Sequence, residues 1–217
     1  MYINDITDRV KFSSLDLYAD DLRIYKKILN PNDCIDLQED INSIFQWSID
    51  NNMDLHTDKC KVMSVGRGNS LFENNYFIHS ASLSRVKVVR DLDIFFDLDW
   101  SFNSHINFVT SKALKLVGFI KRATFKFKSC LAVTCLYKSL VLPKLLYGSV
   151  IWNPYTDAKF SRLEAITKKF LRYASSKTNS PMIIYHDYRA ISLTRNIHTI
   201  ESHNITDDLI FVYKFCV

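Results

Sequence analysis

The sequence predicts an α+β fold in which a strand-rich first half precedes a mostly helical second half. Apolar residues alternate from Leu15 to Tyr18 and again from Leu22 to Tyr25, which is the period of half-buried strands. From Ser104 onwards, apolar residues recur at helical spacing instead. The chain has 217 residues but only four Gly and four Pro, which favours long regular elements over loops.

For the first half we predict a strand hairpin, one helix and several short antiparallel strands. Asp33 is expected to cap the helix, and Asn51 with Asn52 to end it. The buried face of this helix is predicted to comprise Cys34, Leu37, Ile41, Ile44, Phe45 and Ser48. Short strands are predicted around residues 61–65, 76–78 and 86–96.

For the second half we predict three helices. The first begins near Ser104 and buries a stripe made of Ile106, Val109, Ala113, Leu116, Val117 and Ile120. The second begins at Ser129 and is expected to be interrupted at Pro143. The third runs from about Thr156 to Ala174, with Phe160, Leu163, Ile166, Phe170 and Leu171 inward. The change of period divides the chain into residues 1–103 and 104–217.

Composition restricts the class of protein and its compartment. No apolar run approaches the ~20 residues that span a bilayer, and the N-terminal residues lack the features of a secretory signal. The cysteines show neither paired nor zinc-type spacing, so we expect reduced thiols; they are Cys34, Cys60, Cys130, Cys135 and Cys216. We therefore expect an intracellular protein of the nucleus or cytoplasm, neither secreted nor membrane-bound.

Charge is distributed very unevenly along the chain. Residues 1–111 contain 11 Lys and Arg against 17 Asp and Glu, whereas residues 112–172 contain 13 basic residues against two acids. A concentrated basic stretch is typical of proteins that bind the phosphate backbone of nucleic acids. The alternative interpretation is a solvated helix face. The candidate contacts to nucleic acid are Lys112, Lys115, Lys121, Arg122, Lys159, Arg162, Lys168, Lys169 and Arg172.

The tetrapeptide Tyr18-Ala19-Asp20-Asp21 separates the two predicted strands of the hairpin. Asp is common in tight turns because its short side chain bonds local backbone groups. Two adjacent carboxylates repel each other unless water or a cation neutralises them, and Mg²⁺ is typically held by one or two carboxylates together with substrate phosphates. The sequence is therefore compatible with a metal site at this turn, and a polar hairpin turn is the alternative.

Further segments follow the hairpin in a recognisable order. They comprise Trp47 and residues 3–6, 18–25, 37–41, 52–55, 59–63, 91–94, 105–113, 118–120, 146–154, 163–166 and 208–214. Together with Tyr18-Ala19-Asp20-Asp21, these segments resemble the reverse transcriptases of non-LTR retrotransposons of the LINE-like, jockey type. The resemblance implies a partial polymerase palm, formed by the hairpin, the helix and the short strands, followed by a mostly helical, basic, thumb-like region.

The resemblance also implies roles for individual residues. Asp20 and Asp21 would bind catalytic Mg²⁺, or Mn²⁺ in its place, for two-metal nucleotidyl transfer to a primer 3′-hydroxyl. Tyr18 and Ala19 would shape the turn near the primer terminus. Lys59 would assist the pyrophosphate leaving group, with an ordinary surface lysine as the equal alternative. The implied partners are an RNA template, a DNA primer and deoxynucleoside triphosphates.

The sequence departs from the family pattern at several points. Asp93 stands where relatives have a glycine, and His56 replaces a usual Asn. Polymerases of this type also need a further metal-binding Asp and a fingers region upstream of the hairpin, where this sequence has 17 residues before Tyr18. We therefore expect the chain to lack the N-terminal polymerase portion and to be inactive in isolation. The alternatives are a non-catalytic nucleic-acid-binding remnant and a chain without retained activity.

Overall fold

The computed structural model describes residues 3–66, 74–177, 188, 192 and 195–216. The α-helices are α1 (Pro31–Asp50), α2 (Asn103–Ala123), α3 (Cys130–Leu136), α4 (Leu142–Leu146), α5 (Ser149–Trp152), α6 (Asp157–Ser176) and α7 (Ile200–Cys216). The strands are β1 (Ser14–Tyr18), β2 (Asp21–Tyr25), β3 (Lys61–Val62), β4 (Phe77–Ile78), β5 (Ala81–Ser82), β6 (Ser84–Arg85), β7 (Val88–Asp91) and β8 (Ile94–Asp97). The protein thus mixes α and β elements, with strands before residue 98 and helices dominating after it.

The chain divides into two compact units. Unit 1 comprises Met1–Val89 and Asp97–Ser101, and unit 2 comprises Arg90–Phe96 and Phe102–Val217. Unit 1 contains the β1–β2 hairpin, α1 and most of the short strands, and unit 2 contains helices α2 to α7. Each unit has buried apolar residues of its own.

In unit 1, α1 begins one turn earlier than predicted. Its N-cap is Asn30, whose side chain accepts a hydrogen bond from the Asp33 N–H, while the Asp33 carboxylate accepts bonds from the Leu29 and Asn30 N–H groups. Asp33 is therefore the third residue of a capping box rather than the cap itself, which corrects the prediction. Pro31 occupies the first turn, where its missing N–H is harmless. The helix ends at Asn51 as predicted.

The buried face of α1 holds an acid that the apolar pattern did not indicate. Asp40 is 1% exposed, and its carboxylate accepts hydrogen bonds from the Lys11 N–H at 2.8 Å and the Phe12 N–H at 3.0 Å. Trp47 is buried beside Ile44 and Ile6, whereas Leu37 and Phe45 are only partly buried. Asp40 therefore ties the approach to β1 onto α1.

Within the described residues, the strands pair as four separate two-stranded sheets. The β1–β2 and β4–β5 pairs are antiparallel as predicted, but β3 and β6 are parallel. The strand predicted over residues 86–96 is in fact the β7–β8 hairpin, since Leu92 and Asp93 form a turn with φ of 43° and 66°. Asp93 adopts this left-handed conformation more readily than most residues other than glycine.

In unit 2, the predicted apolar stripe of α2 is confirmed, because all its residues except the half-buried Leu116 are buried. Helix α2 packs against α6 and α4, and α3 also packs against α6. The Arg162 guanidinium donates to Asn107 Oδ1 at 2.7 Å, and Tyr173 Oη donates to the Lys121 carbonyl at 3.2 Å. Contacts near the start and near the end of both helices show that α2 and α6 run in the same direction.

The second predicted helix is not broken at Pro143. A π-helical turn over Tyr137–Val141 joins α3 to α4, and the Leu142 N–H bonds the Tyr137 carbonyl. This turn places Pro143 in the first turn of α4, where a missing N–H leaves no bond unmade. Val133, Tyr137, Val141 and Leu145 are all fully buried along this stretch.

Helix α7 is buried only near its start. Ile200 and Asn204 are buried, and the Asn204 amide donates to Asn153 Oδ1 at 2.7 Å. Further along, Leu209, Tyr213 and Phe215 are largely exposed. Of the helices in the described ranges, none combines the length and apolar character needed to cross a membrane.

Candidate functional site

The Tyr18-Ala19-Asp20-Asp21 segment forms the tip of the β1–β2 hairpin. Leu17 pairs with Leu22 and Tyr18 with Asp21, so only Ala19 and Asp20 lie in the turn. Ala19 has a φ of 54°, the left-handed conformation that two-residue hairpin turns require. The tight hairpin turn predicted at this tetrapeptide is confirmed.

The apolar side chains that alternate along the two strands anchor one face of the hairpin, and the tip of the hairpin is exposed to solvent. Leu15, Leu17, Leu22 and Ile24 pack against the buried cluster of Ile6, Ile44 and Trp47. Tyr18 is 64% exposed, and Ala19, Asp20 and Asp21 are exposed as well. The hairpin therefore presents two adjacent carboxylates to solvent on a supported turn.

These two acids fit a hard cation in their donor chemistry. Both offer carboxylate oxygens, the ligands that Mg²⁺ prefers, and neither is buried. In the part of the chain that the structure describes, no three His, Cys, Asp or Glu side chains converge as a metal-binding group. Asp20 and Asp21 therefore make up an incomplete, solvent-open donor set.

Lys59 belongs to another element of unit 1. It ends the short 3₁₀ turn Thr57–Lys59, and its N–H bonds the His56 carbonyl at 3.0 Å. Its side chain is exposed. The hairpin residues are thus neighbours in the sequence, whereas Lys59 belongs to a different turn of unit 1.

The predicted basic residues lie on α2 and α6 of unit 2. Most are exposed, but Lys121 and Lys159 are half-buried; the exposed ones are Lys112, Lys115, Arg122, Arg162, Lys168, Lys169 and Arg172. Lys112 and Lys121 are nine residues apart, which places them on opposite sides of α2, about 180° from each other. Lys112 and Lys121 therefore belong to two different groups of basic residues, and the predicted residues do not form one continuous face.

One group surrounds the C-terminal turns of α2 and α6. Lys121 Nζ lies 5.6 Å from the ring centroid of Tyr173. Burial, together with the positive charges of Lys169 and Arg172, lowers the pKa of Lys121. The Arg172 guanidinium and Lys168 Nζ both lie over the ring of Tyr188, at 5.5 and 5.9 Å from its centroid. Cations and aromatic rings thus alternate in this group.

The other group lines a cleft of about 100 Å³ in unit 2. Lys112 Nζ lies 5.3 Å from the Phe108 ring centroid, and the Arg90 guanidinium lies 5.8 Å from the same centroid. Arg90 also pairs with Asp93, and Tyr147 Oη donates to the Leu92 carbonyl at 3.1 Å. The cleft is lined by Arg90, Asp93, His105, Phe108, Val109, Lys112, Lys144 and Tyr147.

Sequence reasoning missed several residues of these groups. Arg90 and Lys144 are far apart in the sequence, and no local pattern indicates that they share a cleft. By contrast, Phe125-Lys126-Phe127-Lys128 alternates aromatic and basic residues directly. That alternation was a usable signal of a nucleic-acid contact.

Comparison with known proteins yields one relative and no family. The chain is 31% identical over 109 residues to an uncharacterized protein of Caenorhabditis elegans. The match covers 50% of this chain and 54% of that protein, so the chain spans about half the length of the curated relative it matches. No protein-family profile matches the chain, and no solved structure matches it significantly.

Proposed function

We propose that this chain is the palm hairpin and thumb-like part of a non-LTR retrotransposon reverse transcriptase. The observation that carries the proposal is the hairpin, in which Asp20 of the supported two-residue turn and Asp21 at the start of β2 are both exposed. The order of the other family-like segments along the chain supports the same proposal.

In this proposal Asp20 and Asp21 hold Mg²⁺, or Mn²⁺, which when bound supplies charge neutralisation for the phosphates and activation of the primer hydroxyl. The primer 3′-oxygen bonds to the α-phosphorus of a deoxynucleoside triphosphate. The bond from that phosphorus to the β-phosphate oxygen breaks, pyrophosphate leaves, and the hydroxyl proton passes to water. Tyr18 and Ala19 shape the turn beside the primer terminus, and Lys59 is assigned to the leaving group.

The basic groups of α2 and α6 are assigned to the phosphate backbone of the RNA template and DNA primer. Binding of this kind releases counterions, so its affinity falls steeply with salt and depends little on sequence. The remaining parts of such a polymerase, the fingers and a further metal-binding Asp, would come from an N-terminal portion. The proposed compartment is the nucleus or cytoplasm, where template and nucleotides are found.

A non-catalytic nucleic-acid-binding remnant is the second candidate. It is favoured by the separate core of unit 2, because helices α2 to α7 bury their own apolar residues and carry the basic groups without the hairpin acids. Asp93 in the β7–β8 turn, where relatives have glycine, points the same way.

Primer extension tests whether the chain catalyses nucleotidyl transfer on its own. The purified chain is incubated with a primed RNA template, deoxynucleoside triphosphates and Mg²⁺ or Mn²⁺, alongside an Asp20→Asn/Asp21→Asn variant. Asp16→Asn is the matched control, since Asp16 is an exposed acid on β1 away from the turn. Binding of the same nucleic acid is followed across a salt series.

Extension that disappears in Asp20→Asn/Asp21→Asn and persists in Asp16→Asn supports the polymerase and overturns the expectation that the chain is inactive in isolation. Salt-dependent binding without extension is the result expected both of a palm and thumb-like portion that needs its N-terminal part and of the remnant. A chain that neither binds nor extends contradicts both candidates.

A further inference from the structure

The loop between α2 and α3 exposes aromatic side chains between lysines. We name residues 124–128 the Phe–Lys loop; it reads Thr-Phe-Lys-Phe-Lys. Phe125 is 76% exposed and Phe127 is 46% exposed, and Lys126 and Lys128 are exposed beside them. Two large apolar rings on one short surface loop thus leave much of their surface in contact with water, and a neighbouring pair of this kind marks a candidate contact surface.

The Phe–Lys loop is anchored at its base. Thr124 is fully buried, its hydroxyl donates to the Ile120 carbonyl at 2.7 Å, and it lies 2.7 Å from the Tyr173 hydroxyl of α6. The Phe127 N–H bonds the Thr124 carbonyl at 3.0 Å, closing a turn. The rings are therefore presented by a fixed backbone, which lowers the entropy lost when a ligand binds them.

Lys177 supports the first ring directly. Its Nζ donates to the Phe125 carbonyl and lies 5.4 Å from the centroids of both the Phe125 and the Tyr173 rings. This cation holds the Phe125 ring against the end of α6, and most of that ring still faces solvent. A flat, supported and exposed ring is the kind of surface on which an unpaired base stacks.

The surroundings of the loop are strongly positive. Seven basic residues belong to the loop or to the adjoining ends of α2 and α6: Lys121, Arg122, Lys126, Lys128, Lys169, Arg172 and Lys177. Residues 112–177 contain two acids, Asp157 and Glu164. Glu164 accepts a bond from the Ile200 N–H at 2.6 Å, and Asp157 lies in the first turn of α6, about 24 Å along the helix from Tyr173. The positive charge therefore matches a polyanion.

We propose that the Phe–Lys loop is a stacking platform for single-stranded nucleic acid, in which unpaired bases stack on Phe125 and Phe127 while the lysines contact phosphates. This inference rests on the proposed nucleic-acid-binding function and specifies its ligand as an unpaired strand. A duplex offers no free base faces, because its bases already stack on one another. Two cations of this region, Lys168 and Lys177, lie over the rings of Tyr188 and Tyr173. Such a row of cations along α6 favours an extended polyanion over a membrane surface as the ligand.

The test measures binding of the full chain to fluorescent oligo(U), oligo(dT) and a duplex of equal length, by anisotropy over a salt series. Phe125→Ala/Phe127→Ala is expected to weaken single-strand binding by at least about tenfold with an unchanged salt slope, and to leave duplex binding unaltered. Lys126→Gln/Lys128→Gln is expected to reduce the single-strand salt slope by about 1.4, because each neutralised phosphate contributes about 0.7. Comparison of the affinities for oligo(U) and oligo(dT) shows whether the loop prefers RNA or DNA.

Leu131→Ala is the matched control, since Leu131 is a 77% exposed apolar residue on α3, just beyond the loop. Its binding should equal that of the unaltered chain, and circular dichroism checks that all variants are folded. Unchanged oligonucleotide binding in the Phe variant overturns the platform while leaving the proposed function in place. Failure of the unaltered chain to bind any nucleic acid overturns both. If the Phe variant instead loses only binding to phosphatidylserine vesicles, the loop is a membrane contact and the platform is overturned.

Discussion

Gly148 and Ile94 lie so close together that a side chain at position 148 has no space. A Cβ built on Gly148 would lie 2.7 Å from Ile94 Cδ1, well inside van der Waals contact. Gly148 also has a φ of +64°, which residues with a Cβ rarely adopt. Ile94 is 4% exposed, so it cannot swing into solvent to make room.

We therefore expect Gly148→Ala to lower the free energy of unfolding by about 2–4 kcal/mol, combining left-handed strain with overpacking. Urea denaturation monitored by tryptophan fluorescence, to which the buried Trp152 of unit 2 contributes, measures the change. Gly118→Ala is the control, because a Cβ there lies 3.5 Å from the flexible end of Arg122 within α2. That variant should be neutral or more stable by about 0.5–1 kcal/mol, and equal losses in both variants would contradict the prediction.

The buried carboxylate of Asp40 is expected to contribute strongly to the stability of unit 1. Asp40→Ala leaves the Lys11 and Phe12 N–H groups without this acceptor, so we expect a loss of about 1–3 kcal/mol. Asp36→Ala on the same helix removes only a partly exposed ion pair with Lys26, 2.9 Å long, and should cost about 0.2–1 kcal/mol. Urea unfolding followed by tryptophan fluorescence, to which the buried Trp47 of unit 1 contributes, tests whether the first loss exceeds the second.

The pH dependence of stability should report on Glu164. Burial raises the pKa of this carboxyl above its ordinary 4.5, against the opposing effect of its bond from the Ile200 N–H. Because the folded state then binds the proton more tightly than the unfolded state, this contribution is full below pH 4.5 and is lost as pH rises through the folded pKa.

Glu164→Gln keeps an acceptor for Ile200 and removes the ionisation. We expect the variant to gain stability relative to the unaltered chain as pH rises from about 4 to 7. Parallel urea titrations at several pH values measure this difference, in which the other titrating groups cancel. A difference that stays constant with pH would show that Glu164 has the same pKa in the folded and unfolded states.

The turn of the β1–β2 hairpin carries measurable strain at Ala19. With a φ of 54°, this position suits glycine, so Ala19→Gly should stabilise the hairpin by about 0.5–1 kcal/mol. Ala19→Val should destabilise it, because a β-branched side chain fits the left-handed conformation worse. Hydrogen exchange at the Asp16 and Arg23 amides, which face each other as a hydrogen-bonded pair of the hairpin, follows the hairpin locally. Slower exchange in the valine variant than in the glycine variant would refute this interpretation.

Regular periodicity accounts for what the sequence predicted well. The hairpin and the buried stripes of α2 and α6 each repeat one apolar period over several residues. A single residue that departs from such a period does not change the predicted element. The cap of α1 was misplaced because Asp33 can act either as a cap or as the third residue of a capping box, and only the backbone at Asn30 decides between them.

Contacts between distant residues explain most of what the sequence did not predict. The burial of Asp40 depends on two N–H groups 28 and 29 residues away, and the cleft with Arg90 depends on α4 supplying Lys144. For the candidate site, the exposed acids at the hairpin follow from local sequence. The division of the basic residues into two groups follows from the rotation of α2 between Lys112 and Lys121.

The π turn has a consequence for the rotation of the chain about the helix axis. Val133, Tyr137, Val141 and Leu145 follow one another every four residues, and each such step advances an ordinary α-helix by about 40°. Leu145 would then lie about 120° away from Val133. A π turn accommodates one extra residue, equivalent to about 100°, which returns Leu145 to within about 20° of Val133. The π turn before Pro143 thus keeps all four side chains on the same buried side of the helix.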